Sequence, residues 1–160
     1  MAGGTGPAAV AAAGEGVVGQ PAAAAPAQPR KAGLGVRLAC DAADITAMMA
    51  LGRVLHAESR YHTVPLDDAR MREIGRRGLE GGNPGLLMAE RDGELVGMAI
   101  VILGEYFFSP ARTATVQLLY VRPEARGGAA AVKLLRALRR WAAANGAHDL
   151  HVNVTTGIEA

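Results

Sequence analysis

The chain has 160 residues, a formal net charge of +2, one cysteine, and half of its residues hydrophobic. A lone thiol excludes an intrachain disulfide and a cysteine-built metal site, and no run is long and apolar enough to span a bilayer. The mild positive charge is spread over two helical segments with few aromatics between, which gives no argument for a nucleic-acid partner.

Residues 1–35 are built almost wholly from Ala, Gly, Pro, Val and Gln, with charged side chains only at Glu15, Arg30 and Lys31. After Met1, no large apolar side chain appears before Leu34. Ordering a backbone costs about 1–2 kcal/mol per residue, which such small side chains do not offset. The segment is therefore expected to be a flexible, disordered leader. It does not read as a secretory signal, because no Lys or Arg precedes Arg30 and the short run Ala8–Ala13 is followed by Gly14, Glu15 and Gly16. It contains no serine, unlike a transit peptide. A cytoplasmic protein is the default expectation.

Val36–Ala39 reads as a short strand. Asp41 then sits where an N-cap belongs, with Asp44 three residues on. Ile45, Met48, Met49, Leu51 and Leu55 fall near helical spacing, which predicts a helix over 42–59. Cys40, just after the strand, reads as a small packing residue. A loop over Ser59–Pro65 leads to a second helix over Leu66–Glu80, with Asp67 and Asp68 in its first turn and Arg76 and Arg77 in its last, a polarity that suits the helix dipole. Gly81 to Gly85, with Asn83 and Pro84 among them, stops it.

Strands are expected over Leu86–Arg91 and Glu94–Phe107, joined by Asp92-Gly93, a pair that tolerates the positive φ of a type I′ turn. After Ser109-Pro110 comes a strand over Thr113–Val121, ended by Arg122-Pro123. A helix over 128–144 follows, with Val132, Leu135, Leu138, Trp141 and Ala142 as its apolar stripe and Lys133, Arg136, Arg139 and Arg140 mostly opposite. Asn145-Gly146 closes it, and Leu150–Val154 is a last strand. The fold class is α/β in the mixed, α+β sense, in the order strand, helix, helix, three strands, helix, strand, with no internal repeat.

The segment with chemical content runs from Leu118 to Ala131. It is a strand, then a tight turn at Arg126-Gly127-Gly128, then a helix start made of Ala129, Ala130 and Ala131. The first four N–H groups of a helix lack intrahelical partners and, with the dipole, attract anions. Gly127 and Gly128 leave the backbone bare, and Arg126 can add a charge-assisted contact. Taken alone this is either a pyrophosphate cradle for an unspecified ligand or a Gly-rich turn that merely starts a helix.

The order of elements, and the place of this segment after the fourth strand, resemble the GNAT superfamily of acetyl-CoA-dependent N-acetyltransferases. The family's signature R/Q-x-x-G-x-G/A aligns on Arg126-Gly127-Gly128-Ala129-Ala130-Ala131. The first and last positions fit, and Ala129 stands where the middle Gly belongs. The lead-in Leu119-Tyr120-Val121-Arg122-Pro123-Glu124 is similar to the family's. The His-Ala-Glu-Ser-Arg-Tyr run within Leu55–Tyr61 and the ending Val154-Thr155-Thr156-Gly157 resemble a bacterial and phage subgroup. The resemblance covers 36–160, which makes that stretch the acyltransferase domain, with a mostly antiparallel sheet flanked by helices.

The resemblance implies acetyl-CoA as co-substrate, lying where the fourth and fifth strands splay apart. Its pantetheine arm would meet the backbone of Leu119, Tyr120 and Val121, with Asn153 on the fifth strand as a further contact. Its pyrophosphate would take the amides of Gly127, Gly128, Ala129, Ala130 and Ala131, with Arg126 nearby. The family's reaction is direct acyl transfer to an amine, on a small molecule or a protein. The amine must lose a proton, and Glu58, at the end of the first helix, is the first choice for that base or for substrate contact. His62 is a second choice, and Glu105 and Tyr106 could line the acceptor side. The thioester oxygen needs a fixed donor, for which Val121 N–H is the candidate. No metal is expected, since His148 and His151 lie three apart on a strand and point to opposite faces.

The family continues after its fifth strand with a helix, which usually carries the Tyr that protonates the leaving thiolate, and two more strands. This sequence stops at Ala160, so the domain is expected to be incomplete at its C-terminal end, with an exposed sheet edge that a second copy of the chain, as a homodimer, could cover. The alternatives to an active enzyme are a non-catalytic CoA-binding remnant and an interaction module that binds no ligand.

Overall fold

The computed structural model describes residues 32–153. Most of the leader and the ending Val154-Thr155-Thr156-Gly157 lie outside the described residues. The elements are β1 (Leu34–Leu38), α1 (Ala42–Glu58), α2 (Asp68–Gly81), β2 (Gly85–Arg91), β3 (Glu94–Tyr106), β4 (Ser109–Val121), a single 3-10 turn at Pro123–Ala125, α3 (Ala130–Ala144) and β5 (Ala147–Val152). They form one five-stranded sheet in the order β1-β2-β3-β4-β5. The first four strands pair antiparallel, and β5 runs parallel to β4, as it must when a helix carries the chain back across the sheet. The fold is the mixed, mostly antiparallel α/β architecture expected.

Local chemistry explains the element ends. Asp41 caps α1 by accepting from Asp44 N–H at 2.8 Å, and Asp67 caps α2 by accepting from the amides of Ala69 and Arg70. The second helix starts at Asp68 rather than Leu66 because Asp67 takes the cap position. Asp92 (φ 51°) and Gly93 (φ 85°) make the tight turn between β2 and β3. β1 begins at Leu34, two residues earlier than expected, because Leu34 and Gly35 pair with Arg91 and Glu90. β5 begins earlier as well, at Ala147, opposite Arg112.

The sheet is covered on both faces. On one side lie α1 and α2, whose Ile45, Met48, Met49 and Leu51 pack with Leu86, Met88, Leu95, Met98 and Tyr120. On the other lies α3, whose Ala130, Leu134, Ala137, Leu138 and Trp141 pack with Leu87, Ala89, Val96, Ala99, Val101 and Val116. A strand buried on both faces reads as a continuous apolar run, as β2 does from Gly85 to Ala89. The apolar stripe expected for α3 is corrected in part. Val132 and Leu135 are exposed, and Leu134 and Ala137 carry the contact with Leu138 and Trp141.

A three-membered ion-pair hub ties β1, α1 and β2 together. Arg37 donates through Nη1 and Nη2 to the two oxygens of Asp44 at 2.6 and 2.7 Å, and through Nε and Nη2 to Glu90 at 3.0 and 2.8 Å. Asp44 is 4% exposed and also accepts from the Cys40 amide at 2.9 Å.

β4 carries an irregularity that matters for the site. Ile100 pairs with Leu118 and Val101 with Val116, so Gln117 is an extra residue, a β-bulge. Ahead of it, Ala114 and Val116 face the α3 layer. After it, Leu118 and Tyr120 face the α1–α2 layer, and Leu119 and Val121 face α3. The bulge inverts which side chains of β4 point to which layer.

Candidate active site

β5 pairs with β4 only from Arg112 to Val116. From Gln117 to Val121, β4 has no strand on that side among the described residues, and a cleft opens along its edge. Arg122 N–H donates to Val96 O on the β3 side at 2.9 Å. Peptide groups alternate in direction along a strand, so Val121 and Leu119 turn their N–H and C=O groups to the open edge. Tyr120, opposite Met98, turns its own to β3. Of the three residues whose backbone was expected to meet the pantetheine arm, Leu119 and Val121 turn their peptide groups to the open edge and Tyr120 turns its own to β3.

The cleft ends at the start of α3. Gly127 has φ +74°, a left-handed conformation that glycine adopts without steric cost, and it turns the chain from the 3-10 turn into the helix. No side chain caps α3, so its first amides, around Ala129, Ala130 and Ala131, meet no acceptor from a capping residue. Gly128 is open. A Cβ there would meet Ala125 O at 3.5 Å and Arg91 Nη2 at 3.7 Å, both ordinary contacts. The geometry is an uncapped helix N-terminus with bare backbone before it, which the chemistry of anions fits. Arg91, which the sequence reading passed over, brings a second guanidinium to this turn. The Asp92-Gly93 hairpin, which ends β2 beside Gly128, was its only trace in the sequence.

Arg126 turns its side chain back to the end of β4 and to α1. Its Nε donates to Val121 O at 2.9 Å, its Nη2 to Glu58 Oε2 at 3.3 Å, and its guanidinium carbon sits 5.5 Å from the Tyr120 ring centroid. Glu58 is thus gathered with two other residues of the expected site. Its Oε2 also accepts from Tyr120 Oη at 3.0 Å. Burial, and then the hydrogen bond to Glu58, hold the Tyr120 phenol above its ordinary pKa. Tyr120 is therefore protonated at neutral pH and serves as the donor in that bond.

The remaining expected residues are dispersed. Asn153 is exposed and lies one residue past β5 rather than on it. His62 bonds Ser59 O through Nδ1 at 2.9 Å in the turn after α1. Tyr106 donates to Asp149 at the far end of the sheet, and Glu105 stands beside it on the exposed end of β3. Burial raises the Cys40 pKa, which keeps the side chain a thiol rather than a thiolate at neutral pH. Cys40, Asp41 and Asp44 offer ligand atoms within 4.8 Å of one another, but both Asp44 oxygens are taken by Arg37. The cluster is an ion-pair site.

Between α1, α2 and the sheet lies a cavity of about 330 Å³ that reaches the open edge of β4 at Gln117, Leu118 and Leu119. Its depth is made of Ile45, Met48, Met49, Met71 and Met98, and His56, Ser59 and Tyr61 stand among its polar lining.

An open-edged strand, a bulge in that strand, and a bare helix start at its end define an acyltransferase fold of the kind that holds a long phosphorylated thioester. The chain belongs to the acetyltransferase (GNAT) family, which it matches over residues 51–158. No curated protein sequence matches it significantly. Solved structures with the same fold include an aminoglycoside acetyltransferase from an uncultured soil metagenomic sample in complex with sisomicin (TM-score 0.62, 18% identity, 76% of this chain and 77% of that one). Another is a ribosomal-protein-alanine N-acetyltransferase from Brucella melitensis biovar Abortus 2308 (TM-score 0.61, 21% identity, 76% of this chain and 79% of that one). A third is a predicted acetyltransferase from Clostridium acetobutylicum with acetyl-CoA (TM-score 0.63, 19% identity, 76% and 81%). Among the described residues, no helix is long and apolar enough to cross a membrane.

Proposed function

We propose that this protein transfers an acetyl group from acetyl-CoA to an amine. The observation that carries the reading is the continuity of two features. The edge of β4 that no strand covers, open at the Leu119 peptide groups and the Val121 N–H, leads directly into the uncapped start of α3 behind Gly127 and Gly128. A pantetheine arm needs peptide groups along its length, and a pyrophosphate needs amides and cations at its end. The two features offer them in that order, with Arg91 and Arg126 close by.

The thioester supplies an activated acyl carbon. The amine nitrogen forms a bond to that carbon, the C–S bond breaks, and the thiolate leaves with the electron pair. One proton must leave the amine and one must reach the thiolate. Glu58 is the candidate for the first transfer, directly or through a water. Its carboxylate stands at the cleft, oriented by Tyr120 Oη and Arg126. Val121 N–H, facing the open edge, is a candidate donor to the thioester oxygen. Known relatives of this fold act on aminoglycosides and on a ribosomal protein, so the acceptor is an amine on either a small molecule or a protein.

Calorimetric titration of acetyl-CoA into the full chain tests the cradle. The expected result is saturable one-to-one binding that Gly128→Glu weakens at least tenfold, because the substitution places a side chain and a negative charge at the phosphates. Unchanged affinity in Gly128→Glu would refute the pose, and absent binding by the folded wild-type protein would refute the reading.

A further inference from the structure

The cavity under α1 and α2 restricts what can react. Four of the six methionines in the chain line it, Met48, Met49, Met71 and Met98. Thioether side chains are unbranched and adaptable, and they recur where an apolar ligand of variable shape must be accommodated. Among the described residues, no Asp, Glu, Lys or Arg lines the cavity. At about 330 Å³ it lies within the range of small-molecule sites, about 300–1,000 Å³. It is continuous with the open edge of β4, since Gln117, Leu118 and Leu119 form both. Its mouth therefore lies beside the stretch of β4 that the acyltransferase reading gives to the thioester.

We propose that this cavity seats an apolar, uncharged group of the reacting pair, carried in on the acyl chain of the thioester or on the amine, and that, where the amine carries it, polycationic amines are not substrates. The proposal rests on the acyltransferase reading. An ammonium group moved from water into such a lining would have no carboxylate to pair with, a cost that keeps unpaired charges out of apolar sites. An alkyl or aryl group gains instead. Each buried methylene contributes about 0.8 kcal/mol, which is about fourfold in affinity.

The test has two arms, both on the full chain. In the first, CoA, acetyl-CoA, butyryl-CoA and hexanoyl-CoA are titrated calorimetrically. If the acyl chain is the occupant, butyryl-CoA binds about tenfold or more tighter than acetyl-CoA, and hexanoyl-CoA at least as tightly as butyryl-CoA. Gly52→Leu and Met71→Phe, which fill the cavity from α1 and α2, flatten the series while CoA itself binds as before. In the second arm, release of CoA from acetyl-CoA is followed with 2-phenylethylamine and with spermidine. A flat acyl series with turnover of 2-phenylethylamine at least tenfold faster than spermidine assigns the cavity to the amine and upholds the proposal. A flat series with spermidine equal or preferred overturns it. If neither CoA nor any thioester binds, the acyltransferase reading itself fails, and the proposal falls with it.

Discussion

Asp44 is the most heavily engaged carboxylate of the described chain, and its replacement by Asn has a computable effect. Arg37 and the Cys40 amide hold the Asp44 carboxyl at a pKa of about 2, below the ordinary 3.8, against the opposing influence of burial. At about 1.36 kcal/mol per pKa unit, this corresponds to about 2–3 kcal/mol of stability. The sign follows from linkage: the folded pKa is depressed, so the contribution is complete well above pH 3.8 and disappears as pH falls through about 2. Removing one partner of a buried pair commonly costs about 3–5 kcal/mol. Here Glu90 still neutralises Arg37, which places Asp44→Asn near the lower figure. Urea unfolding of the wild type and of Asp44→Asn at pH 7 should differ by about 2–3 kcal/mol, and the difference should shrink steadily below pH 4. A variant within about 0.5 kcal/mol of the wild type at pH 7 would refute the assignment of this hub as a stabilising element.

Glu58→Gln removes the ion pair to Arg126 but keeps an oxygen for Tyr120. The two side chains are 41% and 53% exposed, so the pair is worth no more than about 1 kcal/mol. Releasing Arg126 for the phosphates should tighten acetyl-CoA up to about fivefold in a calorimetric titration, while turnover with any accepted amine falls. Weaker binding would show that Glu58 positions Arg126 rather than competing for it. Gly85→Ala would put a Cβ 2.5 Å from the Trp141 ring and should lower stability by about 1–3 kcal/mol through overpacking, read from the shift of a urea midpoint.

The local signals in the sequence led to most of the fold. Asp41, Asp67 and Asp92-Gly93 each act through their immediate neighbours; Asp41 and Asp92-Gly93 sit where the sequence placed them, and Asp67, expected in the first turn of α2, caps it instead. Pro110 misled, because a proline usually ends a strand. Here β4 starts at Ser109 and runs through Pro110, where the register slips between Glu105 and Tyr106 and a ladder donor is not required. The chain therefore returns through a tight turn at Phe107-Phe108. The Gly-rich turn was legible for the same local reason as the caps. The company of Glu58 was not: Tyr120 and Arg126 lie 62 and 68 residues away, and only the packing of α1 over β4 brings them together. The direction of each peptide group on β4 was equally hidden, since it depends on pairing with β3 and on the extra residue at Gln117.

That extra residue makes the length of β4 a constraint of a different kind from its composition. The strand is read in two frames, one before Gln117 and one after. Exchanging one apolar side chain for another leaves both frames intact. Deleting Gln117 itself would restore a regular ladder with its neighbours on their present faces, because Val116 and Leu118 already pair with the adjacent Val101 and Ile100. A one-residue insertion between Leu118 and Tyr120 would instead turn Tyr120 toward α3 and leave Glu58 without its donor. Drift along this strand is thus open to substitution and to loss of the extra residue at Gln117 but closed to single-residue changes of length elsewhere, and the place where the frames meet is also where the open edge begins.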